Sequence, residues 1–267
     1  MTPIRLLLSD VDGTLVTPDK VLTPETVRAI GRLRDAGILV AIASARPAEG
    51  LTMFVEPLRL TTPLAALNGG LIVDTDLRVL QRHDIAANLV AHVIETLRTR
   101  GLSVWLYRAT EWFVQDLNGP HVAHEARGCR VAPTPIANFN DVTDGVIKIV
   151  GVGDEPDVIR DAEAAVRGAF GRRIIATSSQ AYYLDVTNPR ATKGDVVRYL
   201  ADRYGISPDS IATIGDMPND VSMFEASGRS IAMGNADRHV QRAADFVTSA
   251  NDDEGFANAV RSYVLPG

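Results

Sequence analysis

Asp10 and Asp12 stand two residues apart at the end of an apolar run that begins at Ile4, and Gly13, Thr14 and Leu15 follow at once. Side chains at i and i+2 of an extended chain share a face. Two carboxylates would therefore project into the same space. Like charges that close need a shared proton or a cation to relieve them. Carboxylate oxygens suit a hard cation such as Mg²⁺. A plainer reading is a solvated strand-to-turn junction, with Asp and Gly serving the turn alone. The apolar run weighs against it, because it puts both acids at the mouth of a buried strand.

Other polar groups end other apolar runs. Ser44-Ala45-Arg46 follows residues 38–43 with a hydroxyl and a guanidinium, both suited to phosphate oxygens. Asn68-Gly69-Gly70 follows residues 64–67. Gly215-Asp216-Met217-Pro218-Asn219-Asp220 closes residues 211–214 with two acids and an amide. Pro218 pre-sets a helix start there, whose unpaired N–H groups face the turn. Lys193 opens a helical stretch after Thr192. Taken singly, these segments read as a helix cap beside a surface Arg, a turn, a capped helix and a solvated Lys. Those readings do not explain why the polar groups gather at strand ends. In open parallel sheets, ligands bind beyond the carboxyl ends of the strands.

The chain that must position these groups has 267 residues, 46% of them hydrophobic, with a net charge of -6. It is long enough for one or two domains with a large core. The mild acidity argues against sequence-independent nucleic-acid binding, which needs Lys and Arg to neutralise phosphates. No apolar stretch approaches the roughly 20 residues of a membrane span. The first residues show no basic segment followed by a small-residue cleavage site. A single Cys, Cys129, forbids an intrachain disulfide and reads as a structural or partly exposed thiol. The expectation is a soluble cytoplasmic protein.

Periodicity supplies the elements. Strand 4–10 leads to a helix capped by Thr23 and Pro24 and stopped at Gly37. Strand 38–43, a short helix near 47–58 and strand 64–67 follow. Continuous apolar strands alternating with helices predict a doubly wound parallel sheet. From about 84 to 188 the pattern changes. Helices over 86–100, 119–127 and 155–169 sit among short strands at 103–107, 112–115, 145–151, 173–177 and 182–187. This predicts a separate α+β unit. The first pattern then returns, with helices over 192–204, 218–226, 236–244 and 253–263 and strands over 211–215 and 230–233. The predicted fold is α/β: a Rossmann-like core from residues 1–83 and 189–267, with the α+β unit 84–188 inserted.

In order and spacing, Asp10-Val11-Asp12-Gly13-Thr14-Leu15, Ser44, Lys193 and Gly215-Asp216-x-x-Asn219-Asp220 resemble the four signature motifs of the haloacid dehalogenase superfamily. The insertion resembles the C2B cap of its Cof-type phosphatases, which closes over the core and sees the leaving group. The resemblance implies a Mg²⁺-dependent phosphomonoester hydrolase acting on a small phosphorylated metabolite such as a sugar phosphate. It implies that Asp10 takes the phosphoryl group as an aspartyl-phosphate, and that Asp12 serves as general acid and then base. The metal would rest on Asp10, the Asp12 main-chain carbonyl and Asp216, with Asp220 a direct ligand or one bond removed. Ser44 would bond a phosphoryl oxygen, and Lys193 would balance Asp10 and the phosphate. Asn219 would orient Lys193 or the phosphoryl group, and Thr14 would steady the Asp12 loop.

Arg46, Asn68 and Gly69 complete the expected phosphate-binding set, and Asn188 and Asp185 could touch a sugar hydroxyl or phosphate. The family's second motif commonly reads Thr-Gly-Arg. Here it is Ser44-Ala45-Arg46, which keeps the hydroxyl and adds a methyl. Cap aromatics such as Trp105, Tyr107 and Trp112 read as packing, and His121 and His124 as a surface pair. The expected partner is a small phosphate ester, with no nucleic acid or membrane, in a monomer or homodimer. Two other readings stay open: phosphotransfer within a sugar phosphate, as in the related phosphomannomutases, and a non-catalytic phosphate-ester sensor.

Overall fold

A computed structural model describes residues 2–265. Its first strands are β1 (Leu6–Ser9), β2 (Leu39–Ala43), β3 (Leu64–Ala66), β4 (Leu71–Val73) and β5 (Val79–Arg82). A second group comprises β6 (Ser103–Tyr107), β7 (Trp112–Val114), β8 (Thr134–Pro135), β9 (Lys148–Val152), β10 (Ile175–Gln180) and β11 (Tyr183–Thr187). The chain ends with β12 (Ile211–Gly215), β13 (Arg229–Ala232) and β14 (Phe246–Val247).

Eight strands form one sheet in the order β14-β13-β12-β1-β2-β3-β4-β5. From β14 to β3 all neighbours are parallel, and β4 and β5 add an antiparallel hairpin at one edge. Central β1 is buried along its whole length because helices cover both faces. Leu7 packs with Ile30 and Leu33 of the helix Pro24–Asp35. Its neighbours Leu6 and Leu8 point the other way, against Val197 and Leu200 of the helix Lys193–Tyr204. That alternation is the two-residue period of a strand. Emptying such a position, as in Leu7→Ala, costs about 2–5 kcal/mol.

Six strands form the second sheet in the order β10-β11-β9-β6-β7-β8, drawn wholly from residues 103–187. It is antiparallel apart from the β7–β8 pair. The helices Ala87–Arg98 and Pro156–Phe170 bury Val93, Leu97 and Val166 against one face. Trp105, Tyr107 and Trp112 fill the other face and join the core cluster of the parallel sheet. These rings pack as the sequence suggested, with Tyr107 stacked on Trp112 at 5.8 Å.

Some elements differ from expectation. The hairpin β4–β5 was not foreseen, because β5 is largely exposed and carries no apolar alternation. The helix expected from 119 begins at Val122, since His121 adopts a left-handed φ of 60°. The last expected helix divides into Gly255–Ala259 and a π-helical turn, Val260–Val264. Among the described residues no helix is long and apolar enough to cross a membrane.

Candidate active site

Asp10 is the first residue beyond β1, and its N–H still donates to the Ile214 carbonyl of β12 at 2.9 Å. Sheet hydrogen bonding therefore sets where its carboxylate stands. Lys193 begins its helix after Thr192, whose side chain caps the Asp195 N–H. The Lys193 ammonium donates to Asp10 Oδ1 and to Asp220 Oδ1, both at 2.5 Å. All three side chains are buried. Burial alone would lower the Lys193 pKa, but Asp10 and Asp220 outweigh it and hold the amine protonated.

Asp216 is the first residue beyond β12 and accepts from the Thr14 hydroxyl at 2.9 Å. Asp220 Oδ2 accepts the N–H groups of Asp216 and Met217 at 2.8 and 2.9 Å. Gly13 carries a φ of 84°, and a Cβ there would collide with the Asp216 carboxylate. A side chain at that position would displace Asp216 and be strained as well. Thr14 therefore anchors Asp216, where the sequence had it steadying the Asp12 loop.

Oxygens of Asp10, Asp216 and Asp220 lie within 4.8 Å of one another. One ammonium faces three carboxylates. Burial raises the Asp10 carboxyl to about 7, with Lys193 opposing and Asp220 reinforcing. Burial also lifts Asp216 well above the ordinary carboxylate range, helped by Asp10. Asp10 Oδ2 is buried with no hydrogen-bond partner in the protein. Excess negative charge and a donor set of oxygens only fit a hard divalent cation such as Mg²⁺.

Asp12 is held differently. Its Oδ1 accepts from Lys20 and from Arg46 Nη2, each at 2.7 Å, and its Oδ2 accepts from Arg46 Nε at 2.6 Å. Burial would raise this carboxyl, but the Arg46 fork and Lys20 bring it down to about 2. Arg46 also donates to the Gly128 carbonyl of the helix Val122–Cys129 at 2.9 Å. At the cavity wall, where the sequence had it as a phosphate donor, it also ties Asp12 to the inserted unit. Ser44 is buried at the cavity wall, and its Oγ accepts the Arg46 N–H at 3.1 Å.

The two amides bond each other, with Asn219 at the cavity wall. Asn219 donates to Asn68 Oδ1 at 3.0 Å and makes no hydrogen bond to Lys193. Asn68 in turn donates to Asp185 Oδ2 at 2.7 Å. Gly69 has a φ of 89°, and a Cβ there would lie 2.8 Å from the Thr192 carbonyl oxygen, so it serves close packing beneath Lys193. Asn188 does not reach the cavity. It donates to the Asp84 carbonyl at 2.7 Å, where the chain crosses between the two sheets.

Three charged wall residues were missed: Lys20, Lys148 and Glu125. Lys148 had a legible signal, a lone cation inside the apolar stretch Val146-Ile147-Lys148-Ile149-Val150. Its ammonium donates to the Ala45 carbonyl at 2.7 Å and lies 3.4 Å from Asp185 Oδ2. Lys20 sits on a left-handed loop residue, with φ 62°, that no periodicity marks. Cys129 is buried and donates to Glu125 Oε1 at 3.1 Å. Burial raises its thiol pKa, which disfavours the thiolate. His121 stacks on Tyr182 at 4.1 Å, and its Nε2 meets Asp154 at 2.6 Å.

The model of the haloacid dehalogenase-like hydrolases matches residues 7–260. The chain belongs to this family. A haloacid dehalogenase-like hydrolase from Bacteroides thetaiotaomicron superposes with a TM-score of 0.82 at 28% identity, covering 97% of this chain and 98% of that one. Curated relatives are named as phosphatases. One 5-amino-6-(5-phospho-D-ribitylamino)uracil phosphatase of Bacillus subtilis is 27% identical, covering 95% of this chain and 96% of the relative. The pyridoxal phosphate phosphatase of Escherichia coli is 26% identical, covering 98% and 99%. The hydrolase described here is a phosphatase of this family, as its motifs suggested.

Proposed function

We propose that this haloacid dehalogenase-like hydrolase cleaves monoesters of small phosphorylated metabolites in two steps, with the unit 84–188 as a cap over the leaving group. The observation that carries this reading is Asp10. It is buried at a strand end, fixed through Oδ1 by Lys193, and has Oδ2 without a protein partner. A carboxylate held by one oxygen with the other available is arranged for attack. The named substrates of the two curated relatives, a phosphorylated ribitylaminouracil and pyridoxal phosphate, fit the same substrate class.

Asp10 attacks phosphorus, the bond to the leaving alkoxide breaks, and Asp12 supplies the alkoxide's proton. Asp12 then takes a proton from the water that attacks the aspartyl-phosphate, which releases phosphate and restores Asp10. To carry a proton, Asp12 must leave part of the Arg46 fork, because the paired carboxylate stays ionised. Lys193 and the Ser44 hydroxyl line the phosphoryl side and complement its oxygens. Mg²⁺ on Asp10 and Asp216, with Asp220 beside them, would neutralise carboxylate and phosphoryl charge. Water as acceptor separates this reading from phosphotransfer to a second hydroxyl.

The test is phosphate release from an aryl phosphate in the presence of Mg²⁺. Chelation abolishes it, and Asp10→Asn lowers kcat by a factor on the order of 1000 or more. Turnover retained in Asp10→Asn would remove the nucleophile assignment.

A further inference from the structure

The cavity above Asp10 has a second wall, contributed by the inserted unit. It includes Glu125, His124, Gln180 and Tyr182. The charges around the cavity are unevenly satisfied. Lys20 and Arg46 both pair with Asp12. Lys148 pairs with the fully buried Asp185. Lys193 is spent on Asp10 and Asp220. Among the described residues Glu125 has no such cation. Its Oε1 accepts the Cys129 thiol at 3.1 Å and its Oε2 the Tyr183 hydroxyl at 3.3 Å. Arg46 is the cation whose charge couples to Glu125, yet its fork is committed to Asp12 and Gly128.

We infer that Glu125 selects substrates by charge: it accepts hydrogen bonds from hydroxyl or amine groups on the leaving group and repels a second anion there. This rests on the phosphatase reading above and names the substrate class within it, monoesters whose leaving group is neutral or cationic. A carboxylate in the substrate would face Glu125 with Lys148 paired to Asp185 and with Arg46, even when Asp12 takes up a proton and leaves part of its fork, still bound to the Gly128 carbonyl. Like charges placed together across an interface are a standard means of rejecting a wrong partner. A polyol or amino alcohol instead offers donors to a carboxylate whose two oxygens each retain a lone pair.

Glycerol phosphate and terminally phosphorylated phosphoglycerate test this as a matched pair, since they differ in a hydroxymethyl group against a carboxylate. Wild type favours glycerol phosphate in kcat/KM by about tenfold or more, the scale of one partly solvated charge contact. Glu125→Gln is nearly isosteric; its amide oxygen keeps an acceptor for one of Tyr183 and Cys129, and its NH2 can donate to the lone pair of the other. It shrinks that preference by about tenfold, chiefly by lowering KM for phosphoglycerate. A thermal melt confirms that the variant is folded. An unchanged preference in folded Glu125→Gln, or a wild type that prefers phosphoglycerate, overturns the inference. Nitrophenyl phosphate keeps the two readings apart. If the folded protein hydrolyses none of the three esters, the phosphatase reading fails. The ratio of Kd values for glycerol phosphate and phosphoglycerate, read by calorimetry on wild type and Glu125→Gln, then decides the charge selection by the same criterion.

Discussion

At the scale of single residues, the two acids of the first motif have opposite surroundings. Asp10 shares one ammonium with Asp220 and is raised to about 7 by burial, while Asp12 sits in an Arg46 fork at about 2. Asp12 lies below its ordinary value of 3.8, so its ion pairs stabilise the fold above about pH 4 and lose that contribution as the pH falls towards 2. The urea-stability gap between wild type and Asp12→Asn should therefore narrow by about 2 kcal/mol between roughly pH 6 and pH 2. A gap independent of pH would show the fork to be unimportant. The metal trio gives a second prediction. Mg²⁺ at about 100 times its Kd should raise stability by about 2.7 kcal/mol, and Asp216→Asn should lose most of that gain in a melting titration. Asp10, Lys193, Asp216 and Asp220 were legible because each sits at a strand end or helix start. The partners of Asp12 were not, because Arg46 and Lys20 act through directions that no spacing encodes. For the same reason the bond between Asn219, at the cavity wall, and Asn68 left no mark in the sequence.

At the scale of elements, the site depends on how closely the helix Lys193–Tyr204 approaches the turn after β3. Gly69 permits that approach, with φ 89° and a would-be Cβ 2.7 Å from Val196 Cγ2. Gly69→Ala should cost about 2 kcal/mol or more through left-handed strain and contact with the helix. It should also lower kcat, because Lys193 moves with its helix. Gly37→Ala is the control. Its φ is 75° but a Cβ there meets nothing within 4 Å. Strain alone, about 1 kcal/mol, should leave kcat untouched. Equal kcat losses in both variants would detach the effect from the helix. The parallel strands were legible because burial on both faces makes them continuous apolar runs. The hairpin β4–β5 was not, because an exposed edge strand is under no such constraint. The π-helical turn at Val260–Val264 likewise leaves no mark in apolar spacing that an ordinary helix would not leave.

At the scale of the whole molecule, a buried polar chain joins the two sheets: Asn219 to Asn68, Asn68 to Asp185, Asp185 to Lys148, and Lys148 to the Ala45 carbonyl. Its members come from both sides of the cavity, and Lys148 also lies 4.9 Å from the Tyr107 ring centre. Such a chain resists partial removal, since deleting one partner leaves the other charge buried and unpaired. Lys148→Met keeps the apolar stem and strands Asp185, which is 0% exposed. That single change should cost about 3–5 kcal/mol. Asp185→Asn alone leaves an unpaired ammonium and should also be costly. The double variant removes both charges and should recover about 1–3 kcal/mol relative to the sum of the singles. Denaturant midpoints of the four proteins close this cycle. Strict additivity would mean that the 3.4 Å contact carries no coupling and that the Ala45 carbonyl alone holds Lys148. A coupled result has a functional counterpart. Ala45 lies between Ser44 and Arg46, so losing the cation that pins its carbonyl should loosen the loop that carries both. KM for an aryl phosphate should then rise in Lys148→Met and return towards the wild-type value only if a cation is restored, as in Lys148→Arg.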